Sequence, residues 1–416
     1  MKTFIELYRE ITEGALAGKL EKKLEKLADE EYDNHQLECL LHPERQAPVW
    51  KIKDCTCKDG KCVAACLFDA IKKESDGKIT ISRDLCTACA ACVDACENGS
   101  LVLSRDTVSA IKTVKDTDNP TYAMVAPAFA GQFGDEVTAG KLRASLKKIG
   151  FYGMVEVAAF ADILTLKEAL EFDKNIKEKG DYQLASCCCP VWIAMINRKF
   201  SGTLGHLTHT VSPMIAAGRV IKQVFRGAKT VFIGPCMAKK SEANEADVEG
   251  AVDVVITFEE LQSIFEAAGI NPAEMEEDVS EHSSFAGRIY ARAGGVSLAV
   301  EKALERINES KSAEMKTHVA CGVKECKTML ERIETESSEY NFFEGMGCNG
   351  GCIGGPKVLR NREETKPEVE KYAEKAKYQT PIDNPYVIEL LHRLGFETVE
   401  EFLEKSHIFD RNFEKE

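Results

Sequence analysis

The chain of 416 residues holds no apolar stretch long enough to cross a bilayer, since a membrane-spanning helix takes about 20 such residues. Its opening, MKTFIELYREITEGALAGKLEKKLEKL, is amphipathic and interrupted by charge, and it lacks an apolar signal core and a twin-arginine pair. These two absences give a cytoplasmic expectation with no membrane partner. Positive charge is in short supply: 54 Lys and Arg stand against 68 Asp and Glu, a formal net charge of -14. That balance excludes nucleic acid as the main partner, because phosphate binding needs a basic surplus. It also means that an acidic redox carrier would need a local basic patch to dock. Low-complexity linkers are missing, and no internal repeat occurs except a doubled cysteine motif.

Cysteine, by contrast, is abundant. Seventeen are present, an odd count that does not suit a disulfide framework in a reducing compartment and points to metal or redox chemistry instead. Residues 1–50 read as one or two amphipathic helices, residues 51–110 as a small cysteine-dense unit, residues 111–360 as the main domain and residues 361–416 as a helical tail. In the main domain, short apolar runs such as YAMVAPA, MVEVAAF, YQLASC, TVFIGPC, VDVVITF and THVACG alternate with helical patterns such as LTLKEALEFDKNIK and FEELQSIFEAAG. This alternation predicts an α/β fold of parallel sheets covered by helices. Several of the strands end at Cys or Pro, and the carboxyl ends of strands are where such sheets build sites.

The run CTACAACVDAC places Cys86, Cys89, Cys92 and Cys96 at the x2, x2, x3 spacing of a bacterial [4Fe–4S] ferredoxin loop. Its partner, CTCKDGKCVAAC, contains Cys55, Cys57, Cys62 and Cys66 with a stretched middle interval. The pattern assigns one cluster to Cys55, Cys57, Cys62 and Cys96, and the other to Cys66, Cys86, Cys89 and Cys92. Leu67 and Glu97 stand where a proline usually follows the fourth cysteine. Zinc is the competing reading, but zinc knuckles use paired Cys-x2-Cys units and only one half has them. Cys39 lies outside both runs.

Three further pieces, ASCCCPVW, IGPCMAKKSE and FFEGMGCNGGCIGGP, resemble in order and separation the three signature motifs of the [FeFe]-hydrogenases. The triplet followed by proline resembles a less characterised branch of that family. The resemblance implies two lobes of mainly parallel sheet flanked by helices, beside a small α+β ferredoxin-like domain with two [4Fe–4S] clusters. It further implies an active site between the lobes, the H-cluster: a [4Fe–4S] cubane joined to a diiron unit carrying CO, cyanide and a bridging dithiolate amine. The cubane ligands would be Cys189, Cys236, Cys348 and Cys352, with Cys352 bridging to the diiron unit, and the glycines around Cys352 would leave room for a bulky inorganic group. Cys188 matches the proton-relaying thiol, and Cys187 replaces a serine of the best-studied members. Glu168 and Glu171 match the carboxylates of the proton path and Thr208 a hydroxyl along it. Lys239 matches the donor to a cyanide ligand, and Met346 a methionine beside the diiron unit.

Gly234, Ala128, Met214, Asn175 and Tyr290 depart from the family's usual methionine, serine, glutamine, arginine and phenylalanine. Read without the motifs, Glu168 and Glu171 would be a solvated helix face, Lys239 and Lys240 surface lysines, and Cys321 and Cys326 small buried side chains. His206 and His209 are read as structural. The expected activity is reversible conversion of dihydrogen into protons and electrons, with a ferredoxin-like carrier as electron partner and dedicated maturation proteins as suppliers of the diiron unit. A hydrogen sensor of low turnover and a non-catalytic iron–sulfur carrier or assembly protein are the other expectations.

Overall fold

The computed structural model describes residues 1–27, 30–55, 57, 60–75, 78–335 and 338–413. Two parallel sheets organise the main domain. The larger orders its strands Gly153–Glu156, Thr121–Val125, Lys229–Gly234 and Val254–Thr257, all parallel. Every residue of Thr121–Val125 is buried, as a central parallel strand covered by helices on both faces requires. The smaller sheet orders Thr317–Cys321, Phe342–Met346 and Gln183–Leu184, again parallel.

Local chemistry sets where the helices begin. Thr257 closes a capping box with Glu260 at the start of Phe258–Ala268. Ser212 caps Pro213–Val224 with proline at its first position. The helix Ala158–Asn175 differs from a surface helix: apolar and polar side chains alike are buried around most of its circumference, as in a helix passing through a core. Glu168 on it is fully buried and Glu171 half-buried, so neither lies on the solvated face that spacing alone suggests.

The small cysteine unit has two antiparallel ribbons, Val49–Lys51 with Leu101–Leu103 and Ile71–Lys73 with Ile79–Ile81. The first lies in part upstream of residue 51, because Val49–Lys51 begins within the segment read from sequence as amphipathic helix. Helices Phe4–Leu16, Leu20–Leu27 and Asn34–Leu41 precede it. Phe342–Met346 is likewise a strand that the sequence pattern does not announce, its residues reading as the start of a cysteine motif. After residue 360 come helices Arg362–Glu374, Pro385–Arg393 and Val399–Lys405. The chain then runs as an extended strap along residues 209–211: Thr210 bridges Asp410, Val211 N–H donates to Phe409 O and Arg411 N–H to His209 O.

Candidate functional site

Each of the three motifs follows the end of a parallel strand. Gln183–Leu184 leads into a tight turn in which Ser186 takes a left-handed φ of 68°, and Cys189 N–H donates to Ser186 O at 3.0 Å. Trp192 Nε1 pins that turn by donating to Ala185 O at 2.9 Å. Cys189 is the N-cap of Pro190–Lys199, with Pro190 at its first position. Cys236 follows Lys229–Gly234 through Pro235, and Cys348 follows Phe342–Met346 through Gly347, whose N–H donates to Cys189 Sγ at 3.2 Å.

The glycines of the third motif let backbone segments pack closely. A Cβ on Gly351, whose φ is 86°, would stand 2.5 Å from Ala293 N, and one on Gly354 would stand 2.0 Å from Asn349 O. They admit neighbouring backbone. A Cβ on Gly355 would meet Pro235 O at 2.9 Å, so the third motif is packed directly onto the second.

Cys189, Cys236, Cys348 and Cys352 are thereby brought together. Burial pushes the Cys352 thiol up to about 12, with Cys236 and Cys189 adding repulsion. Burial pushes Cys236 to about 11, against the opposing pull of Lys239. Cys348 is raised well above its usual value by burial, then by Cys236, Cys189 and Cys352. Four mutually repelling, partly buried sulfurs form thiolates only around an electropositive centre. As a donor set they fit a [4Fe–4S] cubane.

In the small unit, one pocket is lined by Cys55, Cys57, Cys62 and Cys96 and another by Cys66, Cys86, Cys89 and Cys92, the two sets that the ferredoxin spacing assigns. Ala88 and Ala90 hold left-handed backbone, φ 54° and 69°, to make the tight loops between the second set's cysteines. Cys86 is pushed up to about 11 and Cys92 to about 12, chiefly by burial. Among the described residues no three His, Cys, Asp or Glu side chains meet in the manner of a single-ion site; the small unit's cysteines instead line two pockets, four to each. Cys66 and Cys89 pack with Cys189 and Cys236 against Phe68, Val191, Ala194 and Ala238, so the second set adjoins the main site.

Beside the main site, Cys188 packs with Cys189, Met346 and Tyr290. Its thiol is raised well above the usual value by burial, then by Cys187, Cys352 and Cys189, while Lys239 acts the other way. Met346 is buried at the end of its strand. Lys239 is buried too, and its Nζ donates to Glu242 Oε2 at 2.6 Å. Burial alone would lower its pKa, but Glu242, Cys236 and Cys188 together raise it.

Glu168 accepts from Cys187 Sγ at 3.4 Å, and its Oε2 has no hydrogen-bond partner. Burial pushes Glu168 up to about 8, the Cys187 bond opposing and Glu171 and Glu344 adding to the rise. Glu171 is pushed to about 7, mainly by burial. Thr208 lies 3.5 Å, hydroxyl to hydroxyl, from Thr210, and shares with Glu171, Asn175, His206 and His209 a pocket that opens to the surface. At Gly234 a Cβ would press on Phe232 at 2.8 Å and meet Ala126 Cβ at 3.2 Å, leaving no room for the usual methionine. Tyr290 OH accepts from Thr165 at 3.0 Å, a bond phenylalanine lacks.

Sequence reasoning missed three participants. Cys187 as the donor to Glu168 carries no signal of its own. Glu242 sits three after Lys239 within PCMAKKSE, a helical pairing that was open to reading. Arg411, whose guanidinium lies 3.7 Å from Glu242 Oε1, is far away in sequence and could not have been found.

Comparison with known proteins gives one family and two kinds of relative. The family model described as iron only hydrogenase large subunit, C-terminal domain, matches residues 119–356. Iron hydrogenase 1 of Clostridium pasteurianum is 26% identical over 273 residues, 56% of this chain and 47% of that protein, so the chain spans about half of that relative's length. Cytosolic iron-sulfur assembly component 3 of Bos taurus is 23% identical over 382 residues, 76% of this chain and 80% of that protein. The solved [FeFe]-hydrogenase of Chlamydomonas reinhardtii superposes with a TM-score of 0.60 at 20% identity, covering 74% of this chain and 98% of that one.

Proposed function

The chain belongs to the iron-only hydrogenase family, and on that premise we propose that it is a working hydrogenase, converting dihydrogen reversibly into protons and electrons. The observation that carries this reading is the gathering of four partly buried cysteines with a fifth, Cys188, while the adjacent Cys187 donates to the buried Glu168 and Glu171 lines a surface pocket. Cys189, Cys236, Cys348 and Cys352 would hold the cubane, with Cys352 shared with the diiron unit. The complete H-cluster, when bound, supplies the centre at which dihydrogen is cleaved or formed. Cys66, Cys86, Cys89 and Cys92 would hold an inner ferredoxin-type cluster and Cys55, Cys57, Cys62 and Cys96 an outer one, available to an external ferredoxin-like carrier.

The chain's own residues manage the protons. Cys188 would hold a proton at Sγ beside the cluster, because burial and the neighbouring sulfurs raise its thiol well above the ordinary value of about 8.5, while Lys239 acts the other way. Cys187 hands its S–H to Glu168 Oε1, and a carboxyl near 8 can both take and release a proton under physiological conditions. Glu171, near 7, and the Thr208 hydroxyl stand at the outward pocket. Lys239 keeps a fixed positive charge at a site crowded with sulfur, and Met346 keeps water out.

A second reading, iron–sulfur assembly, draws on the assembly component that matches 76% of this chain. Infrared spectroscopy after loading with the diiron precursor, paired with dye reduction under hydrogen, separates the readings. CO and cyanide bands with turnover are expected. Cubanes without such bands would favour assembly, and bands with negligible turnover a sensor.

A further inference from the structure

The strap that follows the last helix brings a guanidinium to the far side of the Lys239 ion pair. Arg411 is 8% exposed, and Glu242, which lies between it and Lys239, is 1% exposed. Glu242 offers Oε2 to Lys239 Nζ at 2.6 Å and Oε1 to Arg411 Nη1 at 3.7 Å. Arg411 also grips Asp247 with two N–H bonds, Nε to Oδ2 at 2.6 Å and Nη2 to Oδ1 at 3.0 Å, and pairs with Glu245. Three carboxylates therefore share two cations, Lys239 and Arg411. Arg219 ties the strap down by donating to Ile408 O at 3.2 Å and Asp410 O at 3.0 Å.

We propose that Arg411 is a positioning residue for Lys239, acting through Glu242. With Arg411 in place, Glu245 and Asp247 are satisfied and Glu242 is shared, so the Lys239 ammonium retains net positive potential toward Cys236 and Cys188, whose thiols it already influences. Without Arg411, Glu242 turns its whole charge on Lys239, and the two remaining carboxylates add a negative field in a poorly screened interior. The positive potential at the cysteine site falls. This inference rests on the four cysteines holding a cluster, and it does not require that the protein turn over hydrogen.

The test measures the midpoint potential of the cubane in full-length protein carrying its three [4Fe–4S] clusters, with the two ferredoxin-type clusters as internal references. Arg411→Gln is expected to shift the cubane to more negative potential, because losing positive charge favours the oxidised cluster, while the reference potentials stay in place. Arg411→Lys keeps the charge and loses the fork on Asp247; it is expected to restore the cubane potential while leaving thermal stability lowered. In a Lys239→Gln background the Arg411→Gln shift is expected to shrink, since the residue through which it acts is gone. A cubane potential unmoved in a folded Arg411→Gln protein, or an undiminished shift in the Lys239→Gln background, would overturn the proposal and leave Arg411 a staple for the strap.

Discussion

The Cys187 thiol lies 3.4 Å from Glu168 Oε1 and 3.3 Å from Val211 O. Its single S–H is shared between a carbonyl that always accepts and a carboxyl whose charge varies. Cys187→Ala removes a hydrogen bond from a carboxyl whose other oxygen is unpartnered among the described residues. The basic limb of the pH–rate profile should then move upward from about 8, and Cys187→Ser should return it. Cys188→Ala should act differently, lowering turnover by about 10²–10⁴-fold at every pH while the CO and cyanide bands remain. Unchanged turnover in that variant would remove Cys188 from the relay.

Glu168 also links stability to pH. Its ordinary value is 4.5 and burial raises it to about 8. Between those values the folded protein holds a proton that the unfolded chain has released. Stability contributed by the neutral acid is therefore complete below 4.5 and is lost as pH rises toward about 8. Urea melts of wild type should weaken across that window, and Glu168→Gln should flatten the slope. An equal slope in both proteins would show that Glu168 is ionised in the fold.

Lys167 sits on the same helix with 2% of its side chain exposed, paired to Asp410, which is 32% exposed, and donating to Ser406 Oγ at 3.0 Å. Asp410→Asn leaves that ammonium without its counter-charge. Breaking a buried pair from one side costs about 3–5 kcal/mol, and the access of water to Asp410 puts the loss at about 3 kcal/mol. Because Asp410 also helps to raise Glu171, the variant should titrate Glu171 below about 7, observable as a shifted carboxyl band in infrared difference spectra.

Gly351→Ala tests the third motif's backbone. The φ of 86° and the 2.5 Å approach to Ala293 N leave no space for a methyl group. With ψ at -156° the backbone lies in a region essentially reserved for glycine, where alanine costs about 1–3 kcal/mol before any clash, so the loop carrying Cys348 and Cys352 should lose its register. Iron per chain should fall by about a third, one [4Fe–4S] of three, with the ferredoxin-type signals intact. Full iron content would show that the loop tolerates the change.

Much of the architecture can be read from the chain because parallel strands are short apolar runs, and those around Thr121–Val125, Lys229–Gly234 and Val254–Thr257 stand out against charged helices. The cysteine sets are legible because spacing along a loop limits which sulfurs can meet. Other features escape for physical reasons. Val49–Lys51 is three residues long and pairs with a strand about fifty residues away, and so short a run carries no periodicity. The burial of Glu168 depends on what covers its helix, information held in distant residues. The glycines of the third motif could be seen but not their purpose, since crowding by Ala293 and Asn349 is a tertiary fact.

Phe68, Val191, Ala194 and Ala238 are at most 9% exposed and fill the gap between Cys66 and Cys89 on one side and Cys189 and Cys236 on the other. Were the two cysteine sets to hold clusters, an apolar junction of this kind would offer few dipoles to reorient as charge crossed it. The nuclear rearrangement accompanying each electron would then be small, and the rate of passage between the small unit and the main domain should be nearly indifferent to the viscosity of the medium.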